Sequence, residues 1–482
     1  MIRQSKNYLL ASVFTVGVNF LTLPLFTAYL TPADYGLVGL FLLFGSTVAN
    51  LSSFGLNTAS YGLFFKLSAE YFRHLQSTVF IFLIVSFSAV GFVLIFPASG
   101  TISQHLFNDS LSPEVLKLSF LNGCLAYFYV YYGQLLVAQQ RSKAFACIVV
   151  IQISLNALAT FYFLAFQSMT FMGPIFGALL ANATVFIITL VCNRKLFFLG
   201  LSPQSMKRAL KFGLPEVPNL VVSILYGAFD KTMLVNYKGL GEVGQYEFGG
   251  KFAGILKIIM DALGKGFSPF FLKNITEKNE DSDRAIIENF YFMAFILSFV
   301  GLCISYFSEE ALILLTTTEF YSAKYLVPGL VVFYLFGIMG QLSMNQLISA
   351  EKLYVLAPIS VLGLALNMAM NVLLIPKYGA IGAVVATALS ALIMSVLQLY
   401  FANKVTPLPF GARKLFGLYA IVFLFMIPGY YVIQMEASVI VKLAFKFVIL
   451  CFFCIVGVKC NFVRASIIYQ SAGFLIKRVK PD

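Results

Sequence analysis

Five charged side chains stand inside a stretch that otherwise reads as a membrane span. They are Glu247, Lys251, Lys257, Asp261 and Lys265, in QYEFGGKFAGILKIIMDALGKGFSPFFLK, residues 245–273. At about 100° per residue in a helix they share an arc of roughly 120°, with Gly250, Gly254 and Ser268 in or beside it. Phe248, Phe252, Ile255, Leu256, Ile259, Leu263 and Phe267 take the opposite face. A charge at the centre of a bilayer costs about 2.5–3.5 kcal/mol on insertion scales, so such residues face protein or water and mark a functional path. The structural alternative is that Glu247 pairs with Lys251, and Asp261 with Lys257 and Lys265, as i,i+4 partners. That alternative leaves one positive charge over and gives no reason to place any of the five in a membrane.

The preceding apolar stretch, GLPEVPNLVVSILYGAFDKTML (residues 213–234), adds Glu216, Asn219, Ser223, Tyr226 and Asp230 on one face, with Lys231 at its edge. Here too a structural alternative stands, in which Asp230 and Lys231 neutralise one another. Pro215 and Pro218 invite a kink near its start. Far upstream, the second apolar run carries an uncharged polar row: Ser46, Asn50, Ser53, Asn57 and Tyr61.

Other chemistries lack their residues. The only histidines are His74 and His105, both in expected loops, so no zinc or catalytic-histidine constellation forms. Cys451-x-x-Cys454 has metal spacing but no second pair, and a helical span explains it better as small buried residues. Gly239-Leu-Gly-Glu-Val-Gly244 matches a dinucleotide fingerprint, but it lies between two spans with no strand before it. No phosphate-binding G-x-x-x-x-G-K-[ST] loop occurs. The expected chain is therefore neither an enzyme nor a holder of a metal or cofactor.

The elements that position these residues follow from composition. The 482-residue chain is 60% hydrophobic and 11% charged, with a mean hydropathy of +0.88. A soluble domain is about 45–50% apolar and about 25% charged, so this is an integral membrane protein. Apolar runs long enough to span fall at 8–30, 36–65, 77–98, 115–140, 144–166, 172–192, 213–237, 245–272, 286–307, 324–348, 353–375, 379–401, 413–433 and 440–459. With the N-terminus cytoplasmic, twenty-three of the lysines and arginines fall on the inside, against Lys117, Lys238, Lys324, Lys377 and Lys442 on the outside. Both termini are expected inside. The +13 net charge is then topology with some attraction to anionic lipid headgroups, and nucleic acid is not expected as a partner. Ser99 to Glu114 reads as an outer loop, and 193–212, with five basic residues and a Ser-Pro break, as a cytoplasmic linker.

After that linker the pattern restarts. Glu242-Val-Gly244 stands where Asp34-Tyr-Gly36 stood, QLISAEK (346–352) answers QLLVAQQ (134–140), LNMAMNVLLI (366–375) answers LNALATFYFL (155–164), and GAIGAVVAT (379–387) answers GPIFGALLAN (173–182). The expected fold is all-α and polytopic, with about 14 transmembrane helices. Residues 1–200 form an N-terminal six-helix lobe, 201–404 a second one, and 405–482 two extra helices with a basic cytoplasmic tail. Six is even, so the lobes insert with the same polarity and a pseudo-two-fold runs along the membrane normal. A polar cavity is expected between the halves, lined by residues 245–273.

These residues resemble the polysaccharide-biosynthesis flippases of the O-antigen repeat-unit type, in the multidrug/oligosaccharidyl-lipid/polysaccharide exporter superfamily. The resemblance rests on LTPADYG (30–36), on FDKTMLVNYKGLGEVGQYEFGGKF (229–252) and on the repeated hairpins, and it covers essentially the whole chain. It implies a V-shaped pair of six-helix bundles around a central cavity, in the inner membrane of a bacterium. It also implies movement of an undecaprenyl-diphosphate-linked oligosaccharide repeat unit from the cytoplasmic to the periplasmic leaflet by alternating access, as in lipopolysaccharide assembly, alongside other glycan-assembly membrane proteins. On that reading Lys251, Lys257, Lys265 and Lys231 attract the diphosphate, while Asp230, Glu247, Asp261 and Glu216 support them. Asn50, Ser53, Asn57, Tyr61, Asn219 and Ser223 touch sugar. No arginine lies within the membrane part of these stretches, and lysine binds phosphate as a point charge rather than as a bidentate fork. Two alternatives stay open. A cation-coupled multidrug exporter of the same superfamily would favour acids over lysines in the cavity. A membrane glycan-assembly enzyme would need a folded extramembrane part, and no outer loop here exceeds about 20 residues, too few for one.

Overall fold

Long apolar runs can cross a bilayer only with every backbone group bonded internally, and helices answer that demand throughout the chain. The computed structural model describes residues 2–64, 67–194, 202–214, 217–275, 277, 279–350, 352–435 and 437–462. Its helices are α1 (Ile2–Thr27), α2 (Pro32–Ser52), α3 (Leu56–Phe64), α4 (Ala69–Val90), α5 (Phe96–Phe107), α6 (Pro113–Ala138), α7 (Ser142–Ala165) and α8 (Met172–Cys192). There follow α9 (Pro203–Gly213), α10 (Val217–Lys238), α11 (Leu240–Ile275), α12 (Glu280–Leu315), α13 (Val327–Ser349), α14 (Leu356–Val405), α15 (Ala412–Gln434) and α16 (Val439–Lys459). No strand occurs among the described residues. Eight stretches are long and apolar enough to cross a membrane by length and composition. α11 is not among them, because its charges are too dense.

Three expectations need correction. The second apolar run is not one helix: Phe54 and Gly55 take φ of 52° and 70°, and two successive left-handed residues end α2 and start α3. The backbone of Gly213 packs directly on Gly55, so a side chain at 55 would meet the Gly213 carbonyl. The outer loop expected from Ser99 is helix as far as Phe107. A π turn at Gly91–Ile95, in which Phe96 N–H bonds Gly91 O, precedes Pro97. The wider turn accommodates a residue that has no N–H and would crowd the carbonyl four residues back. Thirdly, part of the expected linker is α9. Ser202 and Pro203 do not break a helix there; they begin one, the Ser202 hydroxyl accepting from Ser205 N–H at 3.3 Å and the proline at the first helical position. Residues 195–201 of that segment lie outside the described residues.

Contacts divide the chain into two units. The first holds Met1–Glu247, Leu314–Phe320 and Ile375–Ala380; the second holds Phe248–Ile313, Tyr321–Leu374 and Ile381–Asp482. In the first, α2 and α6 cross backbone to backbone at Gly45 and Gly123, and the Ser119 hydroxyl donates to Phe41 O. α8 lays Gly173 and Gly177 on α7, where a Cβ at 177 would strike Thr160 Oγ1, and Ala181, one turn on, is buried. A buried amide chain ties this layer together, Gln152 donating to Asn182 at 3.2 Å and Asn182 to Asn122 at 2.9 Å.

The bend of α14 at Gly379 (φ 58°), three residues after Pro376, belongs to the first unit; the second unit has a matching layer in the parts of α14 before Ile375 and after Ala380. There Asn367 donates to Thr387 and Ser390 at 3.4 and 3.3 Å, and Asn371 to Asn367 at 3.0 Å. Asn182 and Thr387 hold corresponding places in the repeated sequence, and both sit in a buried polar network. α16 is fastened to α12 by charge: Lys446, 0% exposed, donates to both Glu310 oxygens at 2.6 and 2.7 Å. Nearby, Glu309 takes Lys324 at 2.8 Å, and its other oxygen lies 3.5 Å from Lys442 Nζ, an ion-pair distance without a hydrogen bond.

Candidate functional site

α2 begins in a capping box: Asp34 Oδ2 accepts from Thr31 N–H at 2.9 Å while Thr31 Oγ1 accepts from Asp34 N–H at 3.2 Å. This first turn packs against the first turn of α11. A Cβ on Gly36 would collide with Leu240 O, and one on Gly244 with Pro32 O. The two glycines are the corresponding residues of the repeated Asp34-Tyr-Gly36 and Glu242-Val-Gly244 motifs, so the repeat meets itself in space. Glu242 also departs from its counterpart: where Asp34 caps its own helix, Glu242 Oε2 accepts from Ala380 N–H at 2.8 Å and caps the second half of α14.

One turn further along α11, Glu247 lies across Gly39 of α2 and reaches Lys231 of α10, Nζ to Oε1 at 2.6 Å. Asp230 is 3% exposed and accepts from the Tyr246 hydroxyl at 2.6 Å and from Lys231 N–H at 2.7 Å. Beside the alternative in which Asp230 and Lys231 neutralise one another, each also has a partner on α11, Tyr246 for Asp230 and Glu247 for Lys231. Adjacent residues on a helix point about 100° apart, so each side chain can also reach α11. Tyr246 and Gly39 were not singled out in the sequence, where nothing but their spacing from Asp230 and Glu247 marks them.

Beyond Glu247 the two faces of α11 differ as its periodicity implies. Phe248, Phe252, Leu256 and Phe267 are buried. Gly249 rests near Leu326 and Gly264 against Gln341. On the other face Lys251, Lys257 and Asp261 are exposed. A Cβ on Gly250 or Gly254 would meet nothing within 4 Å, so this side borders open space. Lys251 also lies 5.7 Å from the Phe248 ring centroid.

The polar row of the second run is split by the break at Phe54–Gly55. Asn50 donates to Ser46 O at 2.7 Å, and Ser53 is buried with its hydroxyl on Asn50 O at 2.6 Å, so both spend their donors locally. Asn57 Oδ1 is buried without a hydrogen-bond partner, and Tyr61 is 40% exposed. Glu216 lies outside the described residues, as do the side chains of Lys265, Asn219 and Ser223. A separate cavity of about 340 Å³ in the second unit is lined by Ser305, Lys324, Tyr325, Phe423, Met426 and Tyr431, none of them an expected site residue. Among the described residues no group of three or more His, Cys, Asp or Glu could hold a metal ion.

Comparison with known proteins fits this arrangement of helices. The chain is 21% identical over 429 residues to a Haloferax volcanii protein described as a probable low-salt glycan biosynthesis flippase, Agl15, covering 85% of each. It is 22% identical over 245 residues to the uncharacterized membrane protein MJ1068 of Methanocaldococcus jannaschii, spanning 50% of this chain and about half (48%) of that relative's length. Among solved structures, the lipid II flippase MurJ in an inward closed conformation superposes with a TM-score of 0.69 at 14% identity, over 95% of this chain and 99% of that one. An inward-facing multidrug resistance MATE transporter of the MOP superfamily superposes at 0.64 with 11% identity, over 82% and 94%. These likenesses show a shared fold. Residues 3–265, more than half the chain and including the Gly36–Gly244 meeting and the exposed lysines of α11, match the family described as polysaccharide biosynthesis protein, and the chain belongs to that family.

Proposed function

We propose that the chain is a flippase for a lipid-linked oligosaccharide, an undecaprenyl-diphosphate-borne repeat unit carried from the cytoplasmic to the periplasmic leaflet of a bacterial inner membrane by alternating access. The observation that carries this reading is the two-faced α11. Its apolar face is buried, while the face bearing Lys251, Lys257 and Asp261 borders open space. Ammonium groups exposed at membrane depth are tolerable only against water, so this open space is an aqueous chamber rather than lipid. A chamber with excess positive charge attracts a diphosphate.

In this reading about 14 helices cross the membrane, two sequence halves (1–200 and 201–404) share one polarity, and residues 405–482 are an addition. Both termini are cytoplasmic. Lys251 and Lys257, with Lys265, meet the diphosphate, and Asp261 keeps them charged. Lys231 is held by Glu247 and enters the chamber only when that pair opens. No bond to the substrate is made or broken. The likeness to an Agl15 described as a glycan biosynthesis flippase and to the lipid II flippase fold supports the substrate class.

The test is complementation of a strain lacking its repeat-unit flippase. Native chain restores surface polysaccharide, and Lys251→Ala with Lys257→Ala together reduces it severely at equal protein level. Full restoration by the double variant rejects the cationic site. The buried acid Asp230 favours a second reading, a cation-coupled exporter. Drug resistance on overexpression, without polysaccharide rescue, would select it.

A further inference from the structure

We infer that α9 is a docking surface for anionic lipid headgroups, and that lipid held there braces the break between α2 and α3. α9 is an eleven-residue helix with two unlike sides. Ser205, Ala209 and Gly213 recur every four residues, are buried, and are small enough to let the helix lie close on its neighbours. Lys207, Arg208 and Lys211 are exposed on the other side, and α9 contains no acid. Phe212 and Leu214, 38% and 47% exposed, adjoin the basic residues. Basic heads beside exposed apolar groups are the signature of a helix lying in the plane of a membrane interface.

The helix is tied to its unit at both ends. Ser202 N–H donates to Thr78 Oγ1 of α4 at 3.0 Å, and Gly213 packs backbone to backbone on Gly55, in the α2–α3 break. The Arg208 guanidinium lies 5.9 Å from the Tyr71 ring centroid, fixing it at the start of α4. Arg73, exposed on α4, adds a fourth cation, and Glu70 in the same first turn is the acid to set against it. The net balance favours a negatively charged surface. Each basic side chain at such a surface contributes about 1 kcal/mol, equivalent to roughly a fivefold gain in lipid occupancy. Since α9 closes on Gly55, lipid that holds α9 down also holds the left-handed pair Phe54–Gly55 in place, a coupling local sequence does not otherwise provide.

The test uses the full chain in vesicles of phosphatidylcholine containing photoreactive phosphatidylglycerol, or photoreactive phosphatidylcholine in its place, with adducts mapped by mass spectrometry. Phosphatidylglycerol should label residues 203–214 at least about tenfold more than phosphatidylcholine, from two or more charges at about fivefold each. Lys207→Gln, Arg208→Gln and Lys211→Gln together should abolish the preference, while Lys207→Arg with Lys211→Arg keeps it. High salt applied to the native chain should erase it too, whatever the folding of the variants. Equal labelling by both lipids, or a preference that survives high salt or the triple substitution, overturns the inference.

Discussion

Lys231 on α10 and Glu247 on α11 meet at 2.6 Å, and Glu247 reaches its partner by crossing Gly39 of α2. Three helices are joined by one ion pair whose members are 21% and 24% exposed. A pair so placed is only partly hydrated, so losing one member strands the other. Lys231→Met and Glu247→Gln should each lower thermal stability in detergent, and the double variant should lose less than their sum. The coupling expected from a double-mutant cycle is about 0.5–3 kcal/mol, read from the midpoint shifts. Strict additivity would show that the pair is not formed.

Gly36 and Gly244 leave no room for a methyl group, whereas Gly250 and Gly254 on the same α11 have open space. Gly36→Ala and Gly244→Ala should each destabilise by about 1–3 kcal/mol through overpacking. Gly250→Ala and Gly254→Ala should be neutral or slightly stabilising, since alanine is the better helix former by about 1 kcal/mol. Thermal midpoints of the four purified variants check both halves of this statement.

Much of this was legible in the sequence. The two-faced character of α11 follows from spacing alone, and so does the correspondence of Asp34-Tyr-Gly36 with Glu242-Val-Gly244. What the motif repeat did not reveal is that its two copies touch, because a repeat states similarity and not proximity. The partners of Lys231 and Glu242 were hidden for the same reason: each bonds across a long sequence separation. The break at Phe54–Gly55 escaped notice because its only local sign is one glycine in an apolar run, and the left-handed Phe54 depends on packing by Gly213. α9 was missed because Ser-Pro both ends and begins helices, and only the amphipathic run after it decides which.

Glu242 caps the second half of α14 through Ala380 N–H at 2.8 Å, beside the left-handed Gly379. Glu242→Ala should cost about 0.5–2 kcal/mol, the usual range for a lost helix cap. Gly379→Ala should cost at least as much, since a Cβ there meets Glu242 Oε2 at 2.7 Å in a backbone conformation that suits glycine. Glu242→Gln, which keeps an acceptor oxygen, should recover most of the loss. Thermal unfolding of the three variants decides it.

Asp230 depends on the Tyr246 hydroxyl, 2.6 Å away, for its side-chain partner on α11. Tyr246→Phe should lower stability by about 1–3 kcal/mol, the cost of an unsatisfied buried polar group. Asp230→Asn with Tyr246 intact should lose less, because the amide oxygen still accepts. Equal losses from the two changes would mean that charge, not the hydrogen bond, matters at this position.

The central claim is that the exposed lysines of α11 hold an anionic lipid-linked glycan in water. It is tested most directly by measuring transbilayer movement of a fluorescent polyprenyl-diphosphate oligosaccharide in vesicles carrying the purified chain. Native protein should accelerate the movement, and Lys251→Gln with Lys257→Gln should remove most of that acceleration while Gly250→Ala leaves it intact. Unchanged movement in the double lysine variant would contradict the account.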